Sequence, residues 1–270
     1  MTTTGRRISL MSARDLGDHN RASILRALST RGPLSRSELA RLTDVGRGSV
    51  GAIVQRLIDD AVLQETEPVT SGNVGKPARP VWFAPGAGSV VALEPGAAGV
   101  NVAVVDAQGH ASGWNTVPIA DAADPASVST AAVAALEAAL ETHPNVLGVG
   151  VAVPGSVNVA TGEVFGCTQV PGSIGGSLVA ALRAGSKRPV LVENDSRAQA
   201  LAELWFGVGR RHGTFATVRT GTGIGVGIVL DGTVLRGSDG RAPEVGHQRS
   251  SRTETSASAA FVAAGRRSVR

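Results

Sequence analysis

The sequence has no tyrosine, and aromatic residues make up only 3% of its 270 positions. With 42% apolar residues, a sizeable core is possible, filled by Ala, Val and Gly rather than by rings. A single cysteine, Cys167, excludes a disulfide within the chain and any multi-cysteine zinc site, and reads as a small buried apolar residue. No run of about 18 apolar residues occurs, which excludes a membrane-spanning helix. Behind Arg6-Arg7 only Ile8 to Met11 are available, too short for the apolar region of a signal peptide. No membrane partner is expected, and a cytoplasmic setting is. Gly-Lys-Ser/Thr is also missing, which excludes a P-loop.

The charge that is present is unevenly spread. Residues 1–80 carry 12 Lys/Arg against 8 Asp/Glu, residues 81–248 carry 9 against 13, and residues 249–270 carry 5 against 1. A basic head on an acidic body points to a polyanionic partner for the head. Residues 1–17 are polar and expected to be disordered. The head, 18–84, shows a helix pattern from His19 with Ile24, Leu25 and Leu28 on one face, stopped by Gly32-Pro33. Ser35-Arg36-Ser37-Glu38 is a capping box opening a second helix whose Leu39 and Leu42 face the core. After the turn Asp44-Val45-Gly46, a third helix carries Val50, Ile53, Val54, Leu57 and Ile58 at helical spacing. A strand from Val62-Leu63 and its return at Val81-Trp82-Phe83 enclose a polar, basic loop, Thr70 to Arg79.

That order predicts a winged helix-turn-helix. Its third helix is expected in the major groove of a double-stranded DNA operator, with Arg47 and Ser49 at base edges and Arg36 and Gln55 as flanking contacts. Lys76 and Arg79 on the wing suit phosphates or the minor groove. The competing reading, a three-helix protein-interaction module with a solvated basic face, accounts less well for a capping box, turn and basic wing together. Gly46, Gly48 and Gly51 weaken the third helix, by about 1 kcal/mol each relative to Ala.

A linker, Pro85 to Gly88, leads to residues 89–248. Strands are expected at Val90–Leu93, Val100–Val105 and up to Val117, then an Ala-rich helix at Pro125–Thr142. A buried strand at Val146–Val153 and a short helix at Ile174–Ala184 come next. A strand at Val190–Val192 runs into Glu193-Asn194-Asp195, where Asp195 or Ser196 caps a helix reaching Phe206. A second antiparallel set begins at Phe215. This is an α/β pattern of two similar lobes with a ligand cleft between them. The stretch Thr220 to His247, TGTGIGVGIVLDGTVLRGSDGRAPEVGH, concentrates the glycine. Gly221, Gly223 and Gly225 do not complete the dinucleotide fingerprint, since the next position it needs is Val226. Asp231-Gly232 between apolar β-formers marks a two-residue hairpin turn. Either the bare backbone binds an anion or the hairpin is packed tightly with no ligand. This stretch alone leaves the two equal.

The stretches GPLSRSELARLTDVGRGSVGAIVQRLIDDAVL, VGKPARP, GVGVAVPGSVNVATGEV, PVLVENDSRAQALAELWFGVGR and TGTGIGVGIVLDGTVLRGSDGRAPEVGH together resemble the ROK family (repressors, open reading frames, sugar kinases), in its transcription-regulator branch. The resemblance implies a winged helix before an incomplete actin-like, hexokinase-like ATPase-type domain. It further implies a sugar or sugar-phosphate effector that alters DNA binding, and a homodimer would bind paired half-sites. Asn194 and Asp195 match the family's sugar-contacting pair, and Asp195 holds the place of the kinases' general base. Glu244 and His247 match a Glu-x-x-His whose glutamate holds sugar hydroxyls and whose histidine is also a zinc ligand. Gly221, Gly223 and Gly225 match the second phosphate loop. Without the resemblance, Asp195 reads as a helix cap and His247 as a solvated loop residue.

Two departures from the family pattern bear on activity. Where the kinases carry Asp-x-Gly-x-Thr on the opening hairpin, this chain reads Leu93-Glu94-Pro95-Gly96-Ala97-Ala98. Phosphoryl transfer rests on positioning and electrostatics, so no kinase activity and no catalytic residue are expected. After His247 the family's Cys-x-Cys-Gly-x-x-Gly-Cys-x-Glu zinc motif is replaced by QRSSRTETSASAAFVAAGRRSVR, a composition that reads as a disordered tail over 249–270. His247 would be a lone remnant of the zinc site, with no metal and no cofactor expected. Ser250 to Ala260 can be encoded by DNA that, shifted by one base, reads V-E-P-D-G-D-L-C-V-C-G, so a frameshifted, truncated regulator is the expectation, to be checked by sequencing the locus. The functions weighed are a sugar-sensing DNA-binding repressor, a sugar kinase with a DNA-binding head, and a truncated product that folds poorly.

Overall fold

A computed structural model describes residues 12–68, 78–143, 145–167, 169–220 and 223–241. The head opens with α1, Ala13–Arg31. Its start corrects the expectation of disorder through residue 17. Ser12 and Asp15 form a capping box: the Asp15 amide donates to Ser12 Oγ at 3.1 Å and the Ser12 amide to Asp15 Oδ2 at 3.1 Å. Two backbone donors that a helix start leaves orphaned are thereby satisfied, which extends the helix into a polar sequence. Gly32, at φ 88°, ends it.

α2, Arg36–Thr43, is held by the second capping box, with the Ser35 amide donating to Glu38 Oε2 at 2.8 Å. Asp44 closes it in the left-handed region at φ 54°, and α3 runs Arg47–Asp59. β1, Leu63–Glu65, pairs antiparallel with β2, Val81–Phe83, in the register Leu63 to Phe83. Ile24, Leu28, Leu39, Val50, Val54, Leu57, Leu63 and Val81 fill one core that all five elements share. Leu42 is not in it. Set one helical turn from the wholly buried Leu39, it lines a crevice between α1, α2 and the segment after α6, and is 40% exposed.

The body begins at β3, Ser89–Gly96, followed antiparallel by β4, Gly99–Asp106, and β5, Ala111–Pro118. α4, Pro125–Thr142, crosses to β6, Val146–Val153. β7, Ser156–Asn158, and β8, Glu163–Phe165, form a small hairpin. α5 is Ser177–Ser186, and β9 is Val190–Asn194. α5 starts three residues later than the apolar pattern suggests, because Gly175 sits at φ 88° and Gly176 follows it. The sheet order is β5-β4-β3-β6-β9, with β6 parallel to β3 and to β9. α4 presents Ala131, Ala132 and Ala135 to this sheet, and such small side chains let it pack closely over Val91, Leu93, Val102 and Val104. Cys167 lies in the same core, 2% exposed.

After β9 comes α6, Asp195–Phe206, and then a three-stranded sheet of β10, Phe215–Thr220, β11, Ile224–Leu230, and β12, Thr233–Val234. The β11–β12 turn has the two positive φ values that Asp-Gly predicts, 48° at Asp231 and 74° at Gly232. Ala200, Leu204, Val229 and Val234 form a small core between α6 and this sheet, whereas Val218 and Ile224 are 60% and 59% exposed.

Head and body are in contact. Pro85 to Gly88 is a tight turn in which the Ala87 amide donates to Ala84 O at 3.0 Å. Gln108 Nε2, in the β4–β5 turn, donates to Phe83 O at 3.0 Å. Arg210, just past α6, lies over the Trp82 ring at 5.9 Å, and a side chain at Gly32 would collide with its guanidinium. No described helix is long and apolar enough to cross a membrane.

Candidate functional site

In a sheet with parallel central strands, the strand C-termini deliver backbone ends and helix N-termini to one edge, which is where ligands bind. Here Glu94 near the end of β3, Gly155 after β6 and Glu193-Asn194 at the end of β9 meet at that edge. Asn194, rather than Asp195 or Ser196, is the N-cap of α6: its Oδ1 accepts from the Ser196 and Arg197 amides at 3.1 Å each. The β-region backbone of Asn194, at φ −64° and ψ 141°, is what a cap requires, and Asp195 is already helical. Asn194 Nδ2 reaches across to Gly155 O at 3.2 Å, joining the ends of β9 and β6.

Asp195 is held on both oxygens. Its Oδ1 accepts from the Ser196 amide at 2.7 Å, and its Oδ2 accepts from Arg219 Nη1 at 2.5 Å. The other terminal nitrogen of Arg219 lies 3.3 Å from Glu94 Oε1. Glu94 Oε2 accepts from Asn101 Nδ2 at 3.4 Å, and Asn101 Oδ1 from Thr116 Oγ1 at 2.8 Å. A polar chain therefore runs from β5 through β4 and β3, across the cleft to β10, and on to the start of α6. Arg219 is its bridge, and sequence reasoning missed it.

A second missed cluster lies deeper. Glu193 Oε1 accepts from Arg197 Nε at 2.7 Å, and Oε2 from Arg236 Nε at 2.8 Å. Arg197 Nη1 donates to Gly240 O at 2.7 Å. Gly240 sits at φ 71° against β7, where a side chain would strike Val157 O. The Glu193 to Arg197 spacing of four residues on a strand-to-helix turn is the one local signal for this cluster. Through it, the backbone leading toward Glu244 and His247 is tied to the base of the cleft. Glu244 and His247 themselves, like Gly221 and Lys76, lie outside the described residues.

Of the other glycines singled out, Gly223 is open, with Gln169 Nε2 the nearest atom at 3.9 Å from a built Cβ. Gly225 faces α6, where a side chain would collide with the Ser196 hydroxyl, and at Gly227 one would collide with Ser196 O. Close packing of β11 on the first turns of α6 thus requires glycine at 227, against backbone, and a side chain at 225 would force the Ser196 hydroxyl to move. The chain's only cysteine is buried in the body core. A Cys-rich zinc site built around His247 is therefore not supplied by these residues.

In the head, Arg36 Nη1 pairs with Glu65 Oε1 at 2.9 Å and Arg79 Nη1 with Glu65 Oε2 at 3.6 Å. The Arg36 hydrogen bond, first among its neighbours, holds the Glu65 carboxyl below its ordinary value. Gln55 Nε2 donates to Asp59 Oδ1 at 3.0 Å along α3. Arg47 and Ser49 are exposed at the start of α3, and side chains built at Gly46, Gly48 and Gly51 meet nothing within 4 Å. The sequence-derived candidates therefore form two separate groups, one on the head and one at the cleft.

The body has the actin-like architecture of sugar-kinase-type ATPase folds. Its sequence matches the ROK family over residues 90–259, and the chain belongs to that family. A solved ROK family transcriptional regulator, a homologue of the E. coli MLC protein, superposes with a TM-score of 0.66 at 25% identity, covering 82% of this chain and 57% of that one. The xylose repressor of Bacillus subtilis is 24% identical over 84% of this chain and 59% of its own length. The glucokinase of Halalkalibacterium halodurans is 33% identical over 45% of this chain and 38% of its own. The chain thus spans well under two thirds of each of these relatives.

Proposed function

We propose that this chain is a sequence-specific DNA-binding transcription regulator, a repressor of sugar-related genes, whose body senses a sugar or sugar phosphate without phosphorylating it. The observation that carries the reading is the head. Three helices and a two-stranded wing share one core, and the N-terminal end of α3 stands free with Arg47, Ser49 and bare glycines. That is the surface a recognition helix lays into a major groove. The match to the xylose repressor supports it: covering 84% of this chain, it is longer than the body and must include head residues. The glucokinase match covers 45%.

Arg47 is assigned to base edges, with Ser49 beside it. Arg36, Arg79 and Lys76 take phosphates, and Gln55 flanks. The Arg36 and Arg79 pairs with Glu65 are exposed and worth little, so phosphates can displace them. On the body, Asn194, Asp195, Glu244 and His247 are assigned to the sugar. Asp195 Oδ2, the oxygen that would take a proton from a sugar hydroxyl, is occupied by Arg219. Glu94-Pro95 replaces the metal-organising aspartate of the kinases. Both argue against phosphoryl transfer. The protein acts as a homodimer in the cytoplasm, on paired half-sites.

The second reading, a sugar kinase with a DNA-binding head, rests on the glucokinase likeness and on Asp195 itself. A coupled ATP-consumption assay over a panel of sugars separates the two. Our reading predicts no sugar-dependent ATP consumption, together with duplex binding that weakens steeply with salt. Sugar-dependent turnover would overturn it.

A further inference from the structure

Away from the cleft, a cavity of about 690 Å³ lies between head and body. α1 lines it with Arg26 and Arg31, α2 with Thr43, and the segment after α6 with Arg210 and Arg211. The one carboxylate on its wall is Asp231, in the β11–β12 turn. None of the ion pairs among the described residues involves Arg26, Arg31, Arg210 or Arg211. Arg210 lies over the Trp82 ring, and its guanidinium occupies the space that a side chain at residue 32 would fill.

Four arginines lining one concavity, offset by one carboxylate, raise the local positive potential and concentrate anions there. The guanidinium fork matches phosphate oxygens in pairs, and a doubly charged phosphate fits the imbalance better than a neutral sugar does. The volume leaves room for an organic group beside the phosphate, within the range of small-molecule sites.

We propose that this junction is a binding site for a phosphomonoester, separate from the sugar cleft. Two of its arginines belong to the head and two to the body, so an occupant braces the head against the body. The inference does not rest on the DNA-binding or sugar-sensing reading.

The test is calorimetric titration of the full chain with glucose 6-phosphate and, separately, inorganic phosphate, repeated on Arg31→Ala, Arg211→Ala and Glu137→Gln. Arg31 and Arg211 are exposed, so these variants keep the fold, which circular dichroism verifies. Each arginine loss is expected to weaken phosphate binding about tenfold, as for a charged hydrogen bond. Glu137→Gln, exposed on α4 and outside both the junction and the cleft, leaves it unchanged. Where the arginine changes weaken it, tighter binding of glucose 6-phosphate than of phosphate shows that the organic group is also read at the junction, and equal binding that the phosphate alone is; either supports the site. No binding of either probe at millimolar concentration overturns it. So does binding that survives both arginine changes, or that is lost in Glu137→Gln. A random duplex titrated against the same variants covers the remaining source of phosphate. If only duplex affinity falls, these arginines are DNA-backbone contacts and the proposal fails.

Discussion

Replacing Arg197 by Met tests whether the base of the cleft is held by a buried charge pair. Arg197 is 2% exposed and the Glu193 side chain 13%. Methionine keeps most of the apolar stem and removes the guanidinium. Glu193 Oε1 then loses its 2.7 Å partner, and Gly240 O loses its donor. Removing one member of a buried pair costs about 3–5 kcal/mol, because the other is left desolvated and unpaired. Glu193 retains Arg236, whose side chain is 38% exposed, and the Asn194 amide at 2.9 Å. The lower end therefore applies, about 3 kcal/mol, or roughly two orders of magnitude in the folding equilibrium. Urea unfolding followed by circular dichroism reads this as a lowered midpoint at unchanged slope. Glu193→Gln in the Arg197→Met background should recover part of the loss, since the stranded charge is gone. A loss below about 1 kcal/mol, the level of an exposed pair, or strict additivity in the double variant would refute the buried-pair account.

Gly225→Ala places a methyl group on the Ser196 hydroxyl. It should destabilise by about 1–3 kcal/mol as overpacking does, and Ser196→Ala should relieve part of that; a neutral Gly225→Ala would mean that packing does not demand glycine. In α3, Gly51→Ala meets open space. A gain of about 1 kcal/mol and a rise of a few degrees in melting temperature are expected, and a loss would show an unseen packing constraint. Ser35→Ala removes a capping box and should cost the head about 1 kcal/mol at neutral pH, measured by urea unfolding. The Ser35 hydrogen bonds hold the Glu38 carboxyl below its ordinary value. A depressed pKa stabilises above the unfolded value and that stabilisation is lost as the pH falls through the folded one. The difference between wild type and Ser35→Ala should therefore shrink on acidification below about pH 4.3, and a pH-independent difference would contradict the Glu38 assignment.

What was legible in the sequence was its punctuation. Ser35 with Glu38, Asp231-Gly232 and the Ala-rich run from Pro125 to Thr142 each carry their structure in a few adjacent residues, and each forms as read. Ser12 with Asp15 has the same spacing as Ser35 with Glu38, yet the apolar pattern does not begin until Ile24, so the helix start was hidden by polar composition. Asn194, Asp195 and Ser196 are equally good cap formers, and only the backbone angle singles out Asn194. The cleft itself was half visible. Asn194 and Asp195 stand side by side in the sequence, but Arg219 lies 24 residues from Asp195, and Arg236 lies 43 from Glu193. Pairs of that kind are set by how β10 to β12 fold back on α6, and no local pattern announces them. The packing of Gly225 is hidden for the same reason, since what it faces is a helix that precedes it in the chain.

The central claim is that the head reads a DNA sequence and the body answers to a sugar. Selecting duplexes from a random pool with the purified chain, with and without a panel of sugars, tests both halves at once. The account predicts one enriched motif, built as an inverted repeat, whose recovery changes with at least one sugar, and whose enrichment Arg47→Ala reduces more than it reduces binding to random duplex. No enriched motif, or a motif that Arg47→Ala and every sugar leave unchanged, would contradict it.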